Sequence, residues 1–379
     1  MTPTIGVPEV LARSRTAVAP ALSEAIERLA PEIRRLATYH MGWTDPGGNP
    51  VNSPGGKGIR PTLAILSAEA AWADPEVGVP GAVAVELVHN FSLIHDDIID
   101  TDTERHHRPT VWSVYGIGPA IVAGDALQIL AHQILLETPF GRGAAASAAL
   151  ADATAAMIAG QADDIAFEGR RDVSVEQCMA MSAAKTGALL GCAASMGAIL
   201  AGAPGATVGA LRDYGRYLGL AFQAVDDLLG IWGDPAQTGK PAGSDLRQRK
   251  RSMPVVSALA AGGPESDELR DLISGPIPTA PLAAGDAGAD KRAGPELSGD
   301  IGATSKAATA PTEPTMPLDP DQVERATYLV EVCGGREWTA VRAKANLDAA
   351  LGALERVRLS AIPHRDLADL AVYVVERDS

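Results

Sequence analysis

An all-α fold is predicted for this chain, and three features of the sequence carry the prediction. Apolar residues recur at intervals of three and four over long stretches, which is the period of a helix face. Alanine and glycine fill many of the apolar runs, and alanine is the best helix former. Aromatic residues make up only 4% of the chain against 46% hydrophobic residues overall, so the material from which sheets are usually built is scarce.

The elements follow in order. Residues 1–20 read as a flexible N-terminal arm. A first helix is expected over 21–40, where Leu22, Ile26, Leu29 and Ile33 share a face. A Gly/Pro-rich loop covers 42–56, and a helix beginning near Ile59–Pro61 and running to about Ala73 uses proline in its first turn. The clearest long helix is Gly81 to Thr101, with further helices over 119–138, 142–168, 174–202 and 205–232. From Gly263 to Pro320 the chain is dominated by Gly, Pro, Ala, Ser, Thr and charged residues, too few of them apolar to offset ordering entropy. That segment, 263–320, reads as a disordered insertion. Helical pattern resumes over 321–357, broken near Gly334–Gly335, and a short terminal segment follows from Arg365. The body of the protein is therefore expected to be 21–262, completed by C-terminal helices within 321–379.

Composition excludes several classes of function. The formal net charge of -15 leaves no basic surface for general nucleic-acid binding. Cys178, Cys192 and Cys333 offer neither a paired metal-ligand spacing nor a disulfide framework, which suits a reducing, cytoplasmic compartment. The N-terminus lacks a signal-peptide pattern, and no uninterrupted run approaches the roughly 18 apolar residues of a membrane span.

Chemistry concentrates in a few places. His95-Asp96-Asp97-Ile98-Ile99-Asp100 ends the clearest helix. Asp96 and Asp100 are i,i+4 neighbours on one face, and acids at a helix C-terminus run against the dipole. Clustered carboxylates need neutralising, and oxygen-only ligands suit Mg2+; the plainer reading is a solvated acidic helix end. A second acidic pair, Asp226-Asp227, closes another apolar helix about 130 residues later. Two such sites suggest helices facing each other across a cavity, with metal between them gripping a diphosphate. Cations accompany the acids. Lys57 and Arg60 stand at a glycine-rich loop-to-helix junction, where donors can meet an anion or simply start a helix. Arg105 follows the first acids, beside His106 and His107, which lack the support that zinc would need. Lys185, in a small-residue helix, either meets a phosphate or carboxylate or snorkels to solvent. Lys240 and the basic stretch Arg247, Arg249, Lys250 and Arg251 follow the second pair, and either neutralise a leaving group or face solvent or an anionic membrane.

Taken together, GGKGIRP at 55–61, HDDIID at 95–100, KTG at 185–187 and FQAVDDLLG at 222–230 resemble the trans-isoprenyl diphosphate synthase, or polyprenyl synthetase, family. The resemblance covers most of 21–262 and, more weakly, the helices from 321. It implies a bundle of long helices around a deep apolar cavity, often dimeric. By resemblance, Asp96, Asp97 and Asp100 bind Mg2+ on an allylic diphosphate, Asp226 and Asp227 hold another ion from the opposite side, and about three ions serve one site. Lys57, Arg60, His89, Arg105 and His106 would hold isopentenyl diphosphate or assist diphosphate binding. Lys185, Thr186 and Gln223 would bind the allylic substrate and stabilise developing charge, and Lys240 would contact the leaving group from a flexible loop. Gln161 and Asp163 match a GQxxD segment. The implied reaction is ionisation of the allylic diphosphate followed by head-to-tail condensation with loss of pyrophosphate. Phe91, with small Ser92 beside it, sits where an aromatic floor accompanies C20 products, so geranylgeranyl diphosphate is expected, with farnesyl diphosphate the shorter option; Phe91 also suits plain core packing.

Three departures stand out. Gly230 replaces the last acid of the second motif, His106 replaces an arginine, and Gly58 replaces a frequent basic residue. They keep two other functions in view. A class I terpene cyclase would ionise the same substrate but needs no Lys57, Arg60 or His89. A non-catalytic or partner-dependent subunit would explain the departures, with the 263–320 segment as the tether for a partner protein.

Overall fold

The computed structural model describes residues 6–51, 56–168, 170–234, 242–274 and 317–376. Lys240 and the greater part of the expected insertion, 275–316, lie outside the described residues. Among the described residues the architecture is all-α apart from one two-stranded ribbon. Helices α1 (Val7–Glu27), α2 (Pro31–His40), α3 (Ile59–Ala70) and α4 (Val79–Ile99) lead to strands β1 (Glu104–Arg105) and β2 (Arg108–Pro109). Then come α5 (Val111–Tyr115), α6 (Ile117–Leu136), α7 (Arg142–Glu168), α8 (Val175–Ser182), α9 (Ala188–Ala201) and α10 (Gly205–Trp232). The remainder is α11 (Ser244–Arg247), α12 (Met253–Ala260), α13 (Pro264–Ser274), α14 (Pro320–Val332), α15 (Gly335–Leu354) and α16 (Ala361–Glu376).

Helices α3 and α9 are apolar nearly all round and buried nearly all round, as expected of elements at the centre of a bundle. Helix α9 packs on α3 and α10, α4 on α6, and α10 on α15. The main core runs through Ile26, Leu63, Leu66, Leu87, Ile94, Leu127, Leu150, Leu189, Met196 and Tyr214.

Four expectations are corrected. Helix α1 occupies the expected N-terminal arm, because Val10, Leu11, Ser14, Val18, Ala25 and Ile26 form a buried stripe with Pro8 in the first turn. The expected single helix over 21–40 is broken, because Ala30 precedes Pro31 and is extended, at ψ 145°. The segment from 263 begins with an ordered helix, α13, whose Leu269 and Ile273 are buried against Leu259 and Val330. Buried Ser266, which donates to the Ala258 carbonyl at 2.6 Å, and partly buried Leu272 add to these anchors. Finally, the segments Pro75–Ile99, Ile117–Leu136, Arg142–Glu168 and Val175–Ala201 are long and apolar enough, by length and composition, to cross a membrane. Alanine-rich windows that tolerate a charge or two reach that threshold even though no uninterrupted run does.

The stretch expected as one helix over 174–202 also contains a change of pitch. Between α8 and α9, residues Ala183–Gly187 form a π-helical turn. Helix α7 approaches this turn closely: a Cβ on Gly160 would stand 2.9 Å from the Lys185 Cα and would collide with the Lys185 amide. The wider turn carries Lys185 and Thr186, in keeping with the tendency of π turns to occur at functional sites.

Candidate active site

The first acidic motif divides its three carboxylates between two faces of α4. Asp96 and Asp100 lie one turn apart, and Asp96 feels Lys185 on one side and Asp100 on the other. Burial, with Asp100 adding to it, pushes the Asp96 carboxyl up to about 6. Asp97 faces the other way, is 1% exposed, and accepts a 2.8 Å bond from Arg105 Nε. Its second oxygen is buried with no hydrogen-bond partner in the structure.

Arg105 reaches Asp97 because of the ribbon. Glu104 pairs with Pro109 and Arg105 with Arg108, and His106 and His107 form the two-residue turn with φ of 50° and 59°. Such a turn needs positive φ at both central positions, and histidine is among the residues that enter that region more readily than most. Both rings are exposed at the tip. The ribbon is tied down by the Tyr39 hydroxyl donating to the Pro109 carbonyl at 2.7 Å and by Arg108 stacked 4.8 Å over the Tyr39 ring.

The second motif is divided in the same manner. Asp226 is exposed, and its charge is felt by Arg60. Asp227 is buried, and both of its oxygens are bonded: Gln223 Nε2 donates to one at 2.8 Å and the Met253 amide to the other at 2.9 Å. Thr186 in turn donates to the Gln223 carbonyl oxygen at 2.7 Å. Burial pushes Asp227 up to about 7, although the Met253 amide pulls the other way.

Between the banks, Lys185 donates to Asp164 at 2.5 Å. Asp164, on α7, was missed in the sequence; Asp163, expected from the GQxxD segment, is exposed on the outer face of the helix. Counting from Gly160 places the fifth residue of that segment at 164, so the signal was there and the register was off by one. The Gln161 carbonyl oxygen is buried with no hydrogen-bond partner in the structure. Lys250, part of the basic stretch, is the cation the acids surround. Burial pulls its pKa down, yet Asp245, Asp100, Asp164 and Asp102 together leave it raised. Arg251 is instead buried and committed to the Arg170 carbonyl.

Beside the first acid motif, with Asp97 in its wall, lies a cavity of about 380 Å3. Arg105, His106 and Arg108 line one side, Glu86, His89, Asn90 and Leu93 of α4 another, and Val18 and Leu22 of α1 close it. Arg60 meets His89 Nε2 at 3.1 Å. Burial, aided by the charges of Arg60, His40 and Arg105, holds His89 well below the usual imidazole range. His40, also missed in the sequence, is pushed by burial to about 3. Both rings are thus neutral at pH 7. Lys57 is exposed at the start of this wall. Gly58, one of the departures, is the α3 N-cap at φ 69°, a left-handed position that suits glycine. Phe91 is 6% exposed and meets His95 edge-on at 4.9 Å, while Ser92, half-buried, donates to the His89 carbonyl.

Among the described residues no three His, Cys, Asp or Glu side chains converge on one point as a ready-made metal cage. The donor set nevertheless fits hard cations: carboxylates only, in excess over two lysines, with one orphaned buried carboxylate oxygen behind them. A cation held by one or two carboxylates and completed by phosphate oxygens is the usual arrangement for Mg2+.

A helical bundle that carries two aspartate motifs, with an arginine- and histidine-lined pocket beside the first, has the parts of a diphosphate-handling protein. Residues 48–279 match the family described as polyprenyl synthetase. The chain is 41% identical over 370 residues to (2E,6E)-farnesyl diphosphate synthase of Mycobacterium tuberculosis, covering 98% of this chain and 93% of that protein. It is 37% identical to the geranylgeranyl diphosphate synthase of the same organism, covering 97% and 93%. Among solved structures, the polyprenyl synthetase from Streptomyces coelicolor A3(2) superposes with a TM-score of 0.83 at 46% identity, covering 97% of this chain and 99% of that one. The geranylgeranyl pyrophosphate synthase from Corynebacterium glutamicum, complexed with isoprenyl diphosphate and magnesium, superposes at 0.74 with 26% identity and 98% coverage of both chains. This chain belongs to the polyprenyl synthetase, or trans-isoprenyl diphosphate synthase, family, and it is a prenyltransferase.

Proposed function

We propose that the protein condenses an allylic diphosphate with isopentenyl diphosphate, in the presence of Mg2+, to give a short all-trans prenyl diphosphate. The observation that carries this reading is the pairing of two separate anion-handling regions. Asp96, Asp100 and Asp226 with Lys185 and Lys250 form one, and Lys57, Arg60, His89 and Arg105 form the other. A cyclase needs only the first. Mg2+ held by the acids supplies neutralisation of the charge that builds on the departing diphosphate. Lys185 and Lys250 add positive charge at the same place. Thr186 and Gln223 orient Asp227, and Asp97 orients Arg105 toward the cationic pocket. Lys240 would reach the leaving group from its loop, as the resemblance implies. An apolar chamber, as the resemblance implies, would keep water from the carbocation-like carbon. A complement of three ions is what the resemblance implies.

For product length, Phe91 beneath Asp96 supports C20, and the identity with a farnesyl diphosphate synthase favours C15 as the second reading. A homodimer is supported by the exposed apolar side chains of α6 and α7, among them Ile121, Ile129, Leu136, Ile158 and Ile165. A cytoplasmic setting is consistent with its free cysteines. Purified protein given Mg2+, isopentenyl diphosphate and C5, C10 or C15 allylic primers is expected to release pyrophosphate and yield C15–C20 diphosphates by mass analysis. Pyrophosphate release from the allylic primer alone, with cyclic hydrocarbon product, would replace this reading with the cyclase.

A further inference from the structure

We propose that Arg15, on helix α1, is a further binding residue for the diphosphate of isopentenyl diphosphate, and that α1 thereby completes the pocket for that substrate. This inference rests on the function proposed above.

Spacing defines the face of α1 that meets the cavity. Arg15, Val18, Ala19 and Leu22 stand at i, i+3, i+4 and i+7, which places them on one side of the helix, and all four line the cavity. Val18 is buried in the main core and fixes α1 to the body beside the cavity. Arg15 lies one turn before it and is exposed, so its charge stands where the pocket meets solvent.

The charges of the wall single Arg15 out. Gly58 and His106, both in the wall, stand where the family pattern carries basic residues. The cations that remain are engaged. Arg105 donates to the buried carboxylate of Asp97. Arg60 feels Glu86 and Asp226 and meets His89 at 3.1 Å. Arg108 donates to the Thr44 carbonyl at 2.9 Å and lies over the Tyr39 ring. Among the described residues, no hydrogen bond or ion pair engages the Arg15 guanidinium. Its neighbour Arg13, on the opposite side of α1, is by contrast paired with Glu69 of α3 at 2.8 Å. A guanidinium presents its donors in a planar fork that matches phosphate oxygens. Recruiting Arg15 breaks no existing bond, and its charge at the mouth adds to the field that draws an anion in. It thus makes good part of the charge that Gly58 and His106 leave out.

The test is initial-rate kinetics of the full chain with Mg2+ and a saturating allylic primer, varying isopentenyl diphosphate. Arg15→Gln is expected to raise the KM for isopentenyl diphosphate about 10-fold, the scale of losing one charge-assisted hydrogen bond. Its kcat, its KM for the allylic primer and its melting temperature are expected to stay close to the parent's, the pattern of lost binding alone. Arg15→Lys keeps the charge and is expected to recover most of the loss. Arg13→Gln removes the same charge from the same helix on the α3 side and is expected to match the parent. An unchanged KM in Arg15→Gln, or an equal rise in Arg13→Gln, overturns the inference while leaving the prenyltransferase reading intact. A parent chain that forms no condensation product overturns both.

Discussion

Each aspartate pair combines one outward and one inward member. Asp226 is exposed and Asp96 half-buried, whereas Asp97 and Asp227 are buried and bonded to Arg105, and to Gln223 and Met253. Adjacent residues on a helix are rotated by about 100°, and here that rotation buries the second member of each pair. Asp96→Ala is accordingly expected to lower turnover by about 100-fold or more, the scale of losing one group that stabilises transition-state charge, with a melting temperature close to the parent's. Asp97→Ala leaves Arg105 without its partner, and is expected to raise the KM for isopentenyl diphosphate more than that for the allylic substrate, which initial-rate kinetics would separate. Phe91→Ala removes a buried ring, at a cost of about 3–5 kcal/mol; if the ring is the floor of the tunnel, mass analysis of products shows longer chains.

The elements that place the site depart from regular geometry. The π turn at Ala183–Gly187 presents Lys185 to Asp164, and the close approach at Gly160 makes room for it. Gly160→Ala forces a methyl group into the Lys185 backbone, and is expected to cost about 1–3 kcal/mol by denaturant melts and to raise the KM for the allylic diphosphate. Neither the turn nor the ribbon was legible in advance. The small-residue pattern around Lys185-Thr186-Gly187 reads as plain helix, because a π turn inserts one residue without altering composition. The tight turn at His106-His107 was not legible because positive φ has no reliable signature outside glycine and asparagine.

At the scale of the whole molecule the site is a collection of acids that the fold holds close together, and pH dependence follows. Asp96 and Asp227, ordinarily near 3.8, stand at about 6 and about 7. A carboxyl whose folded pKa is raised stabilises the fold fully below its ordinary value, and that contribution is lost as pH rises through the folded value. The unliganded protein is therefore expected to lose melting temperature between about pH 4 and pH 7 through these two groups. Metal binding needs the anions, so Mg2+-dependent pyrophosphate binding is expected to strengthen over the same interval, which calorimetry at pH 5.5 and 8 would detect. The apolar strip on α6 and α7 belongs to this scale too: Ile129→Glu is expected to shift the protein to monomer in size-exclusion chromatography.

The sequence by itself determined the helical class, the family, the limits of α7 and α10, and which segments bear charge, because periodicity and motif order are local properties of the chain. Helix α1 escaped notice because polar Ser14 stands in its buried stripe and Pro20 lies inside the helix, and α13 because its few buried residues do not register in composition. Only the tertiary structure decided which acid of each pair is buried, that Asp164 rather than Asp163 meets Lys185, and that Asp245 stands over Gly230. Those outcomes depend on helix rotation and on close approach between segments distant in sequence, and neither is encoded in any single stretch of residues.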